Sequence, residues 1–319
     1  MRAARSILLL SLVATAASAA PRIDNVLVRM VPPGATSLVG AHMDRLIASD
    51  IYQKLIARQS LPQLETFFRE TGFDPRKDVR EVLLTNVPQG TVLMARGTFD
   101  LKASPPATTK LLRHGEYNIR TLENYGYCFL DSTLAVAGET PAVEAALDEW
   151  KRGAHTGAQA LLKQVATVDT QTPLWGVSTG FASFLAGNLP RMGNGIDFAA
   201  IFKGIESTWF TATVASGFQA SIHCTTASEK DAMNLRDTAK GLIGFGRLNV
   251  PEGQPEMLRF WDGFTVDQTG RAFALNADIS GDLLDQMVRM LSFGGGRGGR
   301  GGSGRGGRGG SGRGGRGVI

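Results

Sequence analysis

The sequence predicts an α+β protein made of two similar modules in tandem, each a mainly antiparallel sheet with flanking helices, followed by a disordered Arg/Gly-rich tail. Three observations predict this architecture. Short apolar runs typical of strands alternate with segments of helical periodicity. The order of these segments returns about 136 residues further along the chain. The last 26 residues contain only Gly, Arg and Ser before Val318 and Ile319.

The first 19 residues have the plan of a secretory signal peptide. Arg2 and Arg5 precede an apolar run from Ile7 to Ala14, and the small residues Ala17 and Ala19 follow it. Cleavage is expected after Ala19, and the apolar run is shorter than the roughly 20 residues that span a bilayer. The sequence therefore predicts export to the periplasm or the extracellular space.

The first module is expected over residues 20–156. After an apolar stretch at 26–31, a strand-like run covers 36–41, and helices are expected from Ser49 and from Pro62 to Gly72. Strands are expected at 82–84, 91–99, 117–122, 127–130 and 134–137, with a short helix reaching Leu112. The clearest helix has Thr140 as its cap, Pro141 in its first turn and Gly153 after its end.

The second module, residues 157–293, repeats this order. Trp175–Ser178 matches Val39–His42, and Gly195-Ile196-Asp197 matches the glycine, aromatic and aspartate at 72–74. A strand at 218–226, a helix from Ser228 to Leu242, a hairpin at 264–266 and 272–279, and a helix capped by Ser280 follow. A duplicated α+β module is the simplest explanation.

Several stretches resemble a broad group of secreted bacterial proteins that have no assigned function. These stretches are SDIYQKL (49–55), TGFDPRKDVREVLL (71–84), ARGTFD (95–100), FLDSTLAVAG (129–138) and WGVSTG (175–180). The resemblance covers most of the body, and it implies export and a repeated α+β plan. It implies no activity, ligand or catalytic residue.

Charge is partitioned sharply along the chain. The whole sequence has 34 basic and 29 acidic residues, for a formal net charge of +5. Setting aside the two leader arginines and the six in the tail leaves 26 basic against 29 acidic residues in the body. This balance excludes a uniformly basic globule that coats nucleic acid.

Residues 294–319 form the tail, which repeats GRGGRGGS with a period of eight. It resembles the arginine–glycine boxes of RNA-binding proteins, but it lacks the aromatic residues on which bases stack. Such a composition cannot bury enough apolar surface to fold, so disorder is expected. The guanidinium groups of the tail are expected to bind anionic polymers and membrane surfaces. The alternative is a low-complexity extension that has no partner. The candidate polyanion-binding residues are Arg297, Arg300, Arg305, Arg308, Arg313 and Arg316.

Cys128 and Cys224 are the two cysteines of the chain. An exported protein with an even number of cysteines is compatible with one disulfide. Both lie in apolar, strand-like runs, so two separately buried thiols explain the sequence equally well.

One catalytic pattern is present. Gly176-Val177-Ser178-Thr179-Gly180 fits G-x-S-x-G, in which a sharp turn exposes a nucleophilic serine to its base. The one histidine downstream is His223, inside a predicted strand rather than on a loop. The alternative to a hydrolase is that Ser178 simply ends a strand, as His42 does in the first module.

No metal site and no cofactor are expected. The four histidines are scattered, and no pattern with zinc-ligand spacing or phosphate-loop context occurs in the body. The residues favour an exported, non-enzymatic binding or scaffold protein that the tail tethers to polyanions. A secreted serine hydrolase using Ser178 and His223 is the alternative, and an extracytoplasmic nucleic-acid binder is a third.

Overall fold

A computed structural model describes residues 23–53, 74–102, 108–153, 159–180 and 202–294. In these residues a single 12-stranded antiparallel sheet runs through both halves of the chain, and helices pack on it. The α+β class with a mainly antiparallel sheet and flanking helices is confirmed. The tail lies outside the described residues.

The strands are numbered in chain order. They are β1 (Ser37–His42), β2 (Val79–Val87), β3 (Gly90–Gly97), β4 (Lys110–His114), β5 (Tyr117–Leu122), β6 (Tyr125–Asp131), β7 (Leu134–Glu139), β8 (Leu174–Thr179), β9 (Ile205–Thr213), β10 (Gly217–Thr226), β11 (Phe264–Thr269) and β12 (Ala272–Ser280). The described helices are α1 (Asn25–Val28), α2 (Met43–Ala48), α3 (Pro75–Asp78), α4 (Thr140–Arg152), α5 (Gln159–Val165), α6 (Glu229–Leu248), α7 (Pro255–Asp262) and α8 (Gly281–Gly294).

The order of strands across the sheet repeats. From the centre outwards, one half runs β1-β2-β3-β7-β6 and continues to β5 and β4. The other half runs β8-β9-β10-β12-β11, which is the same succession of strands in the second module. Because β1 pairs with β8, the two modules share one continuous sheet. The predicted boundary at 156/157 falls outside the described residues.

At the offset of 136, the matched residues of β1 and β8 lie on different faces of the sheet. Val39 lies opposite Gly176, and Gly40 lies opposite Trp175. Directly opposite residues share a face, while successive residues alternate. The offset of 136 equates Val39 with Trp175, which lie on opposite faces, so only the order of elements is repeated at that offset.

The larger core lies on one side of the sheet, here called face A, which carries Leu38, Met94 and Trp175. Helices α1, α4 and α5 cover this side, and Leu147 of α4 is fully buried there. Gly40 is the backbone position that makes room for the Trp175 ring, since a Cβ at residue 40 would overlap it. The close packing of Trp175 on β1 therefore holds the two halves together at the centre of the sheet.

The second half is packed on the opposite side, face B. Cys224 of β10 and Phe273 of β12 form a buried cluster with Leu235 of α6. Helix α6 contacts β10, β11 and β12, and its residues Leu235 and Ala239 pack against this cluster. Across the sheet, the main core thus passes from face A to face B.

Most predicted elements inside the described residues agree with the structure, with three corrections. The short helix expected to reach Leu112 is strand β4, paired with β5. Helix α4 begins one residue earlier than predicted, and Glu139 is its N-cap residue. The Thr140 hydroxyl donates to the Asn124 carbonyl instead of capping the helix. Helix α6 extends to Leu248 rather than to Leu242.

The serine caps of the other helices agree with the prediction. The hydroxyl of Ser228 accepts from the Asp231 amide at 3.2 Å, and that of Ser280 accepts from Leu283 at 3.4 Å. Ser49 accepts from the Tyr52 amide at 3.1 Å, while the remainder of its predicted helix lies outside the described residues. So do the helix expected from Pro62 to Gly72 and the segment at 195–197.

Candidate functional site

Ser178 and His223 lie in the half of the sheet formed by β8 to β12. Their positions follow from two neighbouring rows of residues that pair across the strands. Ser178 is opposite Thr208, which is opposite Cys224, and these three side chains are on face B. His223 is in the neighbouring row, on face A.

Ser178 is a buried strand residue. It pairs with Ser37 on one side and with Thr208 on the other, so its backbone belongs to a regular ladder instead of a sharp turn. Its hydroxyl donates to the Gly180 carbonyl at 2.8 Å, and the Thr208 hydroxyl donates to the same oxygen at 3.1 Å. The hydroxyl is therefore occupied and turned away from solvent.

His223 is half-buried on face A, where its ring stacks on Trp209 of β9 with ring centroids 3.8 Å apart. Burial of the imidazole lowers the pKa of His223 below its ordinary value of 6.5, because the charged ring loses hydration. The neutral ring is thus favoured at neutral pH.

The nucleophile and base of the predicted hydrolase do not meet. The sheet lies between the Ser178 hydroxyl and the His223 imidazole, and a serine–histidine pair must be within hydrogen-bond reach. In this structure the G-x-S-x-G pattern is a strand end, which is the alternative interpretation of the sequence.

The serine that does contact His223 is Ser221, which the sequence analysis missed. Its Oγ lies 2.9 Å from His223 Nε2, and the hydroxyl donates to Oδ1 of Asn276 on β12. The sequence did contain a signal for this contact, because residues two apart in a strand share a face. Which of the two atoms donates follows from the tautomer of the imidazole.

Around this group, face A of the second half is polar and open to solvent. Exposed side chains at Gln219, Thr225, Thr265 and Asp278 surround it. Gln219 Nε2 donates to Asp278 Oδ1 at 3.3 Å. Hydroxyl, amide and imidazole groups on this face form hydrogen bonds with one another.

The cysteines are free and buried, so the disulfide predicted as one alternative is absent. Cys128 is on β6 and Cys224 is on β10, with six strands between them. At about 4.8 Å per strand this separation is about 34 Å, against the 7 Å or less that a disulfide needs between Cα atoms. Burial raises the pKa of the Cys128 thiol to about 11 and also raises that of Cys224.

The histidines of the first module hold structural bonds. His42 Nε2 lies 2.8 Å from the Thr170 carbonyl oxygen, and the neighbouring Asp44 accepts from the Arg45 amide. His114 Nε2 lies 2.8 Å from Asp148. Within the described ranges, no group of three or more His, Cys, Asp or Glu side chains is arranged to hold a metal ion. His155 lies outside those ranges.

The six tail arginines lie outside the described residues, but the point from which the tail leaves the body is described. Helix α8 ends at Gly294, where the tail begins. This helix contacts β10, β12 and α7, and its residue Leu283 is buried. None of the helices in the described part of the chain has the length and apolar character needed to cross a bilayer.

Comparisons with known proteins add no function. No family model and no curated protein matches the sequence. Among solved structures the chain is similar to crystal form I of TP0453, at 9% identity and a TM-score of 0.46 over 85% of this chain and 98% of that one. Crystal form III of TP0453 gives 8% identity and a TM-score of 0.48 over 84% and 98%. A likeness at this level carries no inference about activity or partners.

Proposed function

We propose that this is an exported, non-enzymatic binding or scaffold protein whose cationic tail tethers it to polyanions. The observation that carries the proposal is the charge partition. Six arginines and no acidic residue stand in the last 26 residues, after a body with more acidic than basic residues. Anion binding by the body as a whole is disfavoured, so the tail is the segment with the right charge.

The chemistry of the tail fits phosphate, carboxylate or sulfate groups. Guanidinium is planar, keeps its charge at all physiological pH values and makes paired hydrogen bonds to such anions. Near an anionic surface each arginine contributes about 1 kcal/mol, so six could contribute several kcal/mol together. Because the pairs are solvated, salt would weaken them steeply.

The position at which the tail joins the folded body supports a tethering role. Helix α8 is the last element before the tail, and it packs on β10, β12 and α7 through residues that include the buried Leu283. An attachment made by the tail would therefore hold the folded body directly, with no other domain in between.

The non-enzymatic part of the proposal is supported by the separation of Ser178 from His223. These were the candidates of the one catalytic pattern in the sequence, and the sheet lies between their side chains. The body would then contribute binding surface, for which the open polar side of β9 to β12 has suitable groups. The leader at residues 1–19 supports export.

The tail can be tested with four forms of the mature protein. They are residues 20–319, residues 20–293, and two forms of residues 20–319 with all six tail arginines changed to glutamine or to lysine. Each is applied to a heparin column and to anionic vesicles at about 0.05 M and about 0.5 M salt, a range over which screening changes strongly. The intact form should be retained at low salt and released at high salt.

The outcomes distinguish the contribution of charge to retention from the contribution of guanidinium geometry. The tail-less and glutamine forms should lose retention, and the lysine form should keep most of it if charge alone is sufficient. Equal retention of residues 20–319 and 20–293 would refute the tether. Recovery of the protein from the cytoplasm with Met1–Ala19 intact would refute export.

A further inference from the structure

The two outermost strands of the sheet pair on one side only. Among the described residues, β4 at one edge pairs with β5 alone, and β11 at the other edge pairs with β12 alone. Neither strand contains a proline or a bulge, two features that often block the edge of a sheet. Leu111 of β4 is 68% exposed. Within the described ranges, each edge therefore presents backbone groups on which a further strand fits.

The strand directions allow one copy of the protein to follow another. All neighbouring strands are antiparallel, so the two ends of this 12-stranded sheet, β11 and β4, run in opposite directions. A second copy placed beside the first in the same orientation therefore offers its β11 antiparallel to β4 of the first. Face A of both copies then lies on the same side, and the antiparallel order continues through the contact.

One continuous row of paired residues fixes the register of such a contact. The row begins at Leu111 on β4, passes through Val39 and Gly176 at the centre of the sheet, and ends at Val266 on β11. Its members all lie on face B, because directly opposite residues share a face. Translation of a second copy along this row places its Val266 opposite Leu111 of the first.

The backbone groups at the β4 edge are oriented by the hairpin that joins β4 to β5. Its two-residue loop is Gly115-Glu116, with a positive φ at the glycine. The two residues that flank such a loop form a hydrogen-bonded pair, and hydrogen-bonded pairs recur at every second position of the strands. The N–H and C=O groups of Leu111 and Arg113 therefore point away from β5, towards the edge.

The backbone groups at the β11 edge follow the same rule. β11 and β12 are joined by Gly270-Arg271, and the glycine of this loop also has a positive φ. Alternation from the loop turns the N–H and C=O groups of Phe264 and Val266 away from β12. The Asp278 amide donates to the Gly263 carbonyl at 2.8 Å, as this alternation requires. In the register set by the row, outward-pointing groups of one copy therefore meet outward-pointing groups of the next.

The side chains at the two edges are complementary in this register. Lys110 lies opposite Asp267 of the second copy, and both residues are exposed and on face A. Arg113 lies opposite Phe264, a pair suited to a cation–π contact. Two β4 strands would instead gather the lysines and arginines of both copies, and two β11 strands would gather both copies of Asp267. Because like charges on facing strands disfavour pairing, the head-to-tail contact is favoured over either of these.

We propose that copies of this protein associate head to tail, with β4 of one copy pairing with β11 of the next. The contact is heterologous, so each added copy leaves one edge open, and growth leads to a filament or a ring. β4 has five residues, a short contact compared with the roughly 800 Å² that each partner buries in a stable interface. Association is therefore weak and depends on concentration. It uses no residue of the tail, so it is independent of the proposed tether.

The decisive experiment reverses one charge at each edge. Lys110→Glu and Asp267→Lys are made separately in residues 20–319, and sedimentation velocity measures the average mass against concentration at about 0.05 M salt. The average mass of the wild type should rise with concentration. Each variant should associate about threefold to tenfold more weakly, because like charges then face each other. An equal mixture of the two variants should regain wild-type association, since every contact between unlike variants again pairs opposite charges.

Two controls separate this contact from other causes of association. Lys163→Glu makes the same change in net charge at an exposed position on α5, which packs near the centre of the sheet on β8. It should associate as the wild type does. Residues 20–293 should also associate as the longer chain does. Association that disappears with the tail would overturn this inference without bearing on the tether to polyanions.

A proline at the β4 edge tests the backbone part of the contact. Leu111→Pro removes an N–H that points away from β5, so the β4–β5 hairpin should remain paired, as urea denaturation and circular dichroism will show. The folded variant should stay monomeric. Wild-type association in Leu111→Pro, or a wild type that is monomeric at every concentration at which it is soluble, would overturn the proposal. So would a mixture of Lys110→Glu and Asp267→Lys that associates no better than either variant alone, which would indicate contacts between like edges or with another partner.

Discussion

Trp209 and His223 stack face to face across β9 and β10, with ring centroids 3.8 Å apart and ring planes 10° apart. The Trp209 side chain also packs against the core on face A. The stack therefore marks the place where the buried side of the first half gives way to the open polar side of the second. It shields one face of the imidazole and holds the ring beside Ser221.

The first prediction concerns His223 and acid. Burial lowers the pKa of His223 in the folded protein below 6.5, so the unfolded chain binds the proton first as pH falls. The stability that this residue contributes is present above about pH 6.5 and is lost as pH falls through the lower folded pKa. Between about pH 7.5 and pH 5.5, His223→Gln should lose less free energy of unfolding than wild type.

Urea denaturation at both pH values measures this difference. Ser221→Ala is the control, because it removes the hydrogen-bond partner of His223 and leaves the burial of the ring in place. It should keep the pH dependence of the wild type. An identical pH dependence in His223→Gln and wild type would contradict the assignment of the shift to His223.

The second prediction concerns the centre of the sheet. In Gly40→Ala the new methyl group would overlap the Trp175 ring, and the variant should lose about 1–3 kcal/mol of unfolding free energy. Gly241→Ala is the matched control, since nothing lies within 4 Å of its Cβ and α6 gains a better helix former. It should be stabilised by up to about 1 kcal/mol. Opposite signs are expected in chemical denaturation, and stabilisation by both changes would show that β1 and β8 are not packed this closely.

The third prediction concerns the thiols. Cys128 and Cys224 are buried and far apart, and burial raises the pKa of Cys128 to about 11. Native protein purified from an oxidising compartment should react slowly with iodoacetamide at neutral pH. Denatured without reductant, it should show both thiols. Finding none after denaturation would mean that the cysteines are bonded.

The fourth prediction concerns Ser178. Because its hydroxyl is buried and bonded to Gly180, a fluorophosphonate probe should not label it in the folded protein. Ser178→Ala and Ser221→Ala distinguish the two serines of this region by mass spectrometry. Labelling that Ser178→Ala alone abolishes would restore the hydrolase alternative.

Local patterns in the sequence were sufficient for most elements. The helix ending at Gly153 and the hairpin at β6 and β7 are set by capping residues and by alternation, both of which are local. β4 was mistaken for a helix because its five residues pair only with β5, and no helical or strand period is decisive over so short a run. The predicted pairing of Ser178 with His223 was wrong for a different reason. The two residues are 45 positions apart, and the face on which each lies depends on two strand registers.

By itself, the sequence determined the α+β class, the repeated order of elements and the separation of a mildly acidic body from a cationic tail. These follow from composition and from periods within a few residues. Only the tertiary structure decided that the modules share one sheet, that six strands lie between the two cysteines, and that Ser178 and His223 are on opposite sides. The reason is physical: a shift of one residue in a strand turns every side chain to the other face, and register is fixed by packing such as that of Trp175 on Gly40.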